Sequence, residues 1–252
     1  MTSAAARLSD LGQSAWYDNL TREVATGGLD ELIRVHGISG VTSNPTIFEK
    51  AIAGGGAYDP DLRSAALDGR DPESVYWDLV CADITAAADR LSSIHRRTGG
   101  EDGYVSVEVS PELATDTEAT VAQARSLAMR INRPNVMIKI PATIEGLPAV
   151  RDVIALGIPV NVTLIFAVDR YLAVTEAYMD GLEQLLADGR GTALPRSVAS
   201  FFVSRVDTEV DLRLGADSPL RGKAAVANAK LAYRAFRSVV ASERWQRLAA
   251  AG

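Results

Sequence analysis

The sequence predicts an α/β protein built on a mostly parallel sheet, and three observations carry that prediction. Short apolar runs alternate with helical patterns along the chain, the order that strand–helix–strand units require. The runs do not alternate cleanly between apolar and polar residues, so they read as strands covered on both faces. With 252 residues, 47% of them hydrophobic, the chain can bury the core of one large α/β domain or two small ones.

The strand candidates are Ile38 to Ser43, Tyr104 to Val109, Val136 to Ile140, Ile158 to Ile165 and Ser197 to Val203, with a shorter and weaker one at Ser14 to Tyr17. Helical patterns fill the intervals: Gly28 to His36, Asp71 to Arg97, Asp116 to Ile131, Leu147 to Ala155, Val168 to Asp188, and a long Ala-rich stretch from Arg221 to Leu248 without internal breakers. The Asp71-Pro72-Glu73 start suits a helix: proline fits the first turn and a carboxylate fits the positive end of the dipole. Such a sheet is either closed as a barrel or open and doubly wound. Neither a strand–GxGxxG–helix unit nor a P-loop is present, and Gly54, Gly55 and Gly56 follow a helix-like stretch, so they read as a flexible turn. That disfavours an open dinucleotide fold. A barrel of alternating strands and helices commonly runs to about 250 residues as one domain.

Composition excludes several function classes. The net charge of -6, from 26 basic and 32 acidic residues, argues against nucleic acid or an anionic membrane as a main partner. A basic pocket for phosphorylated substrates remains compatible with it. The single cysteine, Cys81, permits no internal disulfide and lies in an apolar helical pattern, where a buried structural thiol is expected. The two histidines, His36 and His95, lie near helix ends away from any carboxylate or cysteine cluster, so surface or capping roles are expected and no metal site is. Met1 to Asp10 lacks a signal-peptide pattern, and no stretch reaches about 18 apolar residues, so a soluble cytoplasmic protein is expected.

In a parallel barrel the chemistry gathers at the C-terminal ends of the strands. Each candidate strand carries polar residues near that end: Asp18 after the first, Asn44-Pro45 after the second, Glu108 in the third, Lys139 in the fourth, Asn161 and Thr163 in the fifth, Ser200 and Arg205 around the sixth. Lys139, between Ile138 and Ile140, is poorly solvated, a setting that favours the neutral amine able to attack a ketone. It could equally be an edge lysine that blocks aggregation. Glu108 could relay protons beside a reactive amine, or pair with Lys139 for structure. Asp18 alone reads as a helix cap and Asn44-Pro45 as a turn. Only the set carries weight, and it points to a barrel enzyme with an amine nucleophile.

The motifs themselves resemble those of transaldolases. Gly40-Val41-Thr42-Ser43-Asn44-Pro45-Thr46-Ile47-Phe48 resembles the N-terminal signature, and Ile138-Lys139-Ile140-Pro141-Ala142-Thr143-Ile144-Glu145-Gly146 the signature holding the Schiff-base lysine. Asn161-Val162-Thr163-Leu164-Ile165-Phe166 resembles the following strand, and Gln13 to Asn19 the opening of the longer, bacterial-type subfamily. The resemblance implies a TIM-type (β/α) barrel and roles residue by residue. Lys139 resembles the imine-forming amine, and Asp18 the general acid/base at the C4 hydroxyl. Glu108 and Thr163 resemble the pair that holds a catalytic water. Asn44 and Asn161 resemble ligands of the dihydroxyacetone hydroxyls, and Ser200 and Arg205 part of a phosphate site. It also implies no cofactor, and a reaction of the pentose phosphate pathway: sedoheptulose 7-phosphate and glyceraldehyde 3-phosphate exchanging a three-carbon unit to give erythrose 4-phosphate and fructose 6-phosphate. A related sugar-phosphate aldolase and an inactive barrel fragment are the alternatives.

One departure is expected to matter. The barrel rule calls for eight strands, and six are legible here. Residues 1–252 are therefore expected to form one (β/α)-barrel domain missing its last two strand–helix units, with open edges covered by a neighbouring chain or a missing fragment.

Overall fold

The computed structural model describes residues 4–190 and 193–252. In chain order the elements are α1 (Ala4–Ser9), β1 (Ala15–Tyr17), a π-helical turn (Val24–Gly28), α2 (Leu29–His36), β2 (Ile38–Thr42), α3 (Pro45–Ala53), α4 (Asp59–Leu67) and α5 (Pro72–Arg97). There follow β3 (Val105–Glu108), a 3-10 turn (Pro111–Leu113), α6 (Thr117–Ile131), β4 (Val136–Pro141), α7 (Gly146–Ala155), β5 (Val160–Ile165), α8 (Val168–Ala187), β6 (Ser197–Phe201), α9 (Ser204–Arg213), α10 (Ala224–Val240) and α11 (Glu243–Ala251). The six strands lie in simple chain order, β1-β2-β3-β4-β5-β6. The pairings of β1 with β2, β2 with β3 and β5 with β6 are parallel. Parallel strands in unbroken order, separated by helices, are the strand sequence of a (β/α) barrel, and six such strands are present among the described residues. All six strands fall where the apolar runs placed them, the weak one at Ala15–Tyr17 included.

The chain divides into two compact units. The first comprises Met1–Pro111 with Ala124–Ile138. Its spine is α5, which starts as its Asp-Pro-Glu signal predicts: the Asp71 carboxylate accepts from Ser74 N at 2.9 Å with Pro72 in the first turn. Val75, Leu79, Ile84, Ala87, Leu91 and Ile94 form its buried stripe. Val75 and Leu79 pack with Tyr58 and Ala65, which holds α4 against α5. The buried Asn135 amide donates to Ala88 O at 2.8 Å and to Gly103 O at 2.9 Å. At Gly40 any side chain is excluded, because a Cβ would lie 2.4 Å from the Trp16 ring. Cys81 is buried as expected, and burial raises its thiol pKa. His36 is exposed on the last turn of α2. His95 is more than a surface residue: its ring meets Tyr104 edge-on at 5.0 Å, and burial, with the Arg96 charge, lowers its pKa.

The second unit comprises Glu112–Gln123 with Lys139–Gly252. Helices α7 and α8 pack closely at Gly181, where a Cβ would stand 2.5 Å from Arg151 O. The expected single helix from Arg221 to Leu248 is instead two. A turn runs through Gly222, and Ser242 ends the first helix and caps the second by accepting from Trp245 N at 3.2 Å. The uninterrupted Ala-rich pattern hides this break, because only the Ser-Glu pair at the cap marks it. Helix α11 is then fastened to α8 by Arg244, which reaches Glu176 at 2.6 Å, Asp180 at 2.5 Å and Glu183 at 2.8 Å along one helical stripe. Helix α9, which the sequence reading does not identify, has no buried residue and so no apolar periodicity to reveal it. Among the described residues no helix is long and apolar enough to cross a membrane.

Gly181→Ala should destabilise the protein by about 1–3 kcal/mol, because the added methyl overpacks the contact between α7 and α8. Urea denaturation followed by tryptophan fluorescence measures this, and an unchanged midpoint would contradict the close approach.

Candidate active site

In the second unit the polar residues rest on strands that are otherwise apolar. Every residue of β4 is buried, and Lys139 is 7% exposed. Strand alternation turns its side chain to the face opposite Ile140. That is a strand flanked on both sides in the sheet, so the aggregation-blocking edge lysine is ruled out. On β5, Asn161 and Thr163 share a face and are both 1% exposed. Asn161 stands opposite Val198 of β6, which brings Ser200, two residues on, to the same face. The Ser200 hydroxyl donates to Asn161 Oδ1 at 2.8 Å and so orients the amide.

Just beyond Thr163 the strand is distorted. The β5–β6 register slips between Val162 and Ile165, and Leu164 adopts φ 60. A bulky residue in the left-handed region costs on the order of 1 kcal/mol and persists where the surroundings demand it. Such bulges re-aim side chains at strand ends. Here the Thr163 carbonyl accepts from Ala142 N at 2.8 Å, while its Oγ1 has no hydrogen-bond partner among the described residues. Arg205 lies at the start of α9, exposed, with its guanidinium 4.8 Å from the Phe202 ring centroid. A cation at the first turn of a helix is electrostatically unfavourable for the helix and suited to an anion held there.

In the first unit the register does the same work. Trp16 pairs with Gly40, and Thr42 with Ser106, which sets these four on one face. Two residues on in sequence come Asp18, just past the end of β1, Asn44, just past the end of β2, and Glu108, the last residue of β3. Three candidates thus lie at or just beyond the C-terminal ends of three neighbouring strands. Asn44 is not part of a simple turn: it is extended at φ -149, caps α3, and its Oδ1 accepts from Ile47 N at 3.1 Å with Pro45 following in the first turn. Asp18 is exposed in the irregular stretch after β1. Glu108 is half-buried. Sequence reasoning missed Tyr76 of α5, whose phenol is pushed up to about 12 by burial and by the charges of Glu49 and Glu108. Helical periodicity marks Tyr76 only as a core position, so no sequence signal relates it to Glu108.

Among the described residues no group of three or more His, Cys, Asp or Glu side chains is placed to hold a metal ion. A separate apolar cavity of 440 Å³ borders β6, lined among others by Tyr171, Tyr178, Val198, Phe201 and Phe236; none of the eight candidate residues contributes to it.

Six strands in chain order alternating with helices, with a buried lysine on a central strand, define the chain as a (β/α)-barrel-type protein. The family model for transaldolase/fructose-6-phosphate aldolase matches residues 15–249, and the chain belongs to that family. It is 53% identical to transaldolase 1 of Streptomyces avermitilis over 252 residues, covering 98% of this chain and 67% of the relative. It is 52% identical to the transaldolase of Thermobifida fusca over 258 residues, covering 100% of this chain and 70% of the relative. The transaldolase of Parafrankia sp. is 51% identical, with the same coverage.

Thr163→Val replaces a buried hydroxyl that has no partner among the described residues with a methyl of similar shape. The variant should be as stable as the parent or up to about 1 kcal/mol more stable, measured by urea denaturation. A loss of more than that would mean the hydroxyl is satisfied in the folded protein.

Proposed function

We propose that this chain carries the transaldolase reaction, with Lys139 as the Schiff-base nucleophile. The observation that carries this reading is an amine buried on a central strand within the family's lysine motif, Ile138 to Gly146. The neutral amine adds to the C2 carbonyl of a ketose phosphate to give a carbinolamine, which loses water to form an imine. Thr163, whose hydroxyl has no partner among the described residues, and Glu108 suit the holding of the water that carries protons in this step. The protonated imine then accepts the electron pair of the C3–C4 bond. The C4 hydroxyl gives its proton to Asp18, and the shortened aldose phosphate leaves. The three-carbon unit remains on Lys139 until an acceptor aldose phosphate reverses the sequence.

Asn161, oriented by Ser200, and Asn44, oriented by its capping bond, suit the hydroxyls of the three-carbon unit. Arg205 at the first turn of α9 suits the phosphate. The family description also covers fructose-6-phosphate aldolase, which cleaves without transfer. The relatives named transaldolase at 51–53% identity favour transfer.

Fructose 6-phosphate with borohydride should trap a covalent adduct on Lys139, located by peptide mass spectrometry. Lys139→Ala should give no adduct and lose transfer activity by about a thousandfold or more. Adduct formation at another lysine, or activity retained in the variant, would overturn the mechanism. Products assayed with and without erythrose 4-phosphate separate transfer from simple cleavage.

A further inference from the structure

Asp18 sits in an irregular stretch between β1 and the helical turn that begins at Arg22, so its position depends on what anchors the chain on either side. On the β1 side the anchor is the strand pairing with β2. On the other side it is a closed ring of polar contacts. Arg22 N donates to Tyr58 Oη at 3.1 Å, Tyr58 Oη donates to Asp83 Oδ2 at 2.8 Å, and Arg22 Nε donates to Asp83 Oδ1 at 3.0 Å. The Arg22 guanidinium also lies 4.3 Å from the centroid of the Tyr58 ring and pairs with Asp61. The Asp83 side chain is only 3% exposed and Tyr58 is 1% exposed. Two turns further along α5, Arg90 grips the same segment: its Nε donates to Ala25 O at 2.8 Å, and its other nitrogens reach Thr26 O and Asp30.

We propose that Asp83, acting through Tyr58 and Arg22, is a positioning residue that sets the place of Asp18 for proton transfer. The inference rests on the reading of Asp18 as the acid/base. A buried ion pair contributes little to stability that an apolar trio of the same size would not, but it fixes direction, because each partner has few ways to satisfy the others. Here the direction fixed is that of the backbone at Arg22, four residues from the Asp18 carboxylate. Burial holds the Asp83 carboxyl above its ordinary range despite both donors, so the arrangement is retained at a cost. Imine formation at Lys139 needs no proton from Asp18, whereas cleavage of C3–C4 does. Loosening the ring should therefore spare the first step and slow the second.

The test uses Tyr58→Phe and Asp83→Asn in the full chain, with fructose 6-phosphate. Two quantities are read: borohydride-trapped Lys139 adduct, and glyceraldehyde 3-phosphate released per trapped adduct. Both variants are expected to form the adduct within about twofold of the parent and to release aldehyde about 10- to 100-fold more slowly, the penalty of a misplacement on the order of 1 Å. Hydrogen exchange at Asn19 to Val24 should quicken in both. Asp18→Ala is the reference: it must form adduct and fail to release aldehyde. If it does so while both ring variants release aldehyde at the parent rate, positioning by Asp83 is overturned and the role of Asp18 stands. If Asp18→Ala releases aldehyde normally, the reading of Asp18 falls and the proposal falls with it. Should Asp83→Asn fail to fold, Tyr58→Phe decides, because it removes one hydroxyl and leaves the ring packing intact.

Discussion

Everything in this protein depends on polar side chains being held on strands that are buried. Lys139, Asn161, Thr163 and Ser106 are all at least nine-tenths buried, and each is flanked along its strand by Val, Ile or Leu. Burying such groups is unfavourable unless they find partners. The structure meets that cost in visible ways for some of them, as where Ser200 donates to Asn161. For others it does not: the hydroxyls of Thr42 and Thr163 are buried without partners among the described residues. Thr163 also adjoins Leu164, whose backbone is left-handed.

The parallel register converts a one-dimensional pattern into a common face. Trp16 faces Gly40 and Thr42 faces Ser106, and Asp18, Asn44 and Glu108 follow two residues on, at or just past the C-terminal ends of β1, β2 and β3. The same rule links Asn161 with Ser200. Several of these residues serve the fold as well. Asn44 caps α3 just past the end of β2, so its Oδ1 is directed by the helix it starts. That economy explains how an amide can be kept rigid at a strand end without a dedicated support.

Away from this face ion pairs between helices supplement apolar burial. Arg244 binds three acidic residues of α8, and Arg133 spans both oxygens of Asp89 at 2.6 and 3.1 Å. β6 pairs with β5 alone among the described strands, and beside it α10 exposes Leu231, Tyr233 and Phe236.

Strand positions, the start of α5, and the lysine motif were legible in the sequence, because apolar runs, a Pro-containing cap and a nine-residue signature are local signals. Helix α9 and the break before α11 were not, since neither changes the apolar periodicity that a sequence displays. The family was likewise a property of the sequence. What only the tertiary structure decided is orientation: that Asn44 is a cap and no mere turn, that Lys139 lies on a central strand, that the Thr163 hydroxyl has no partner among the described residues, and that Arg22, Tyr58 and Asp83 close a ring. Those residues are separated by up to 61 positions along the chain. Contacts over such distances are set by how strands register and helices pack, and no local pattern encodes them.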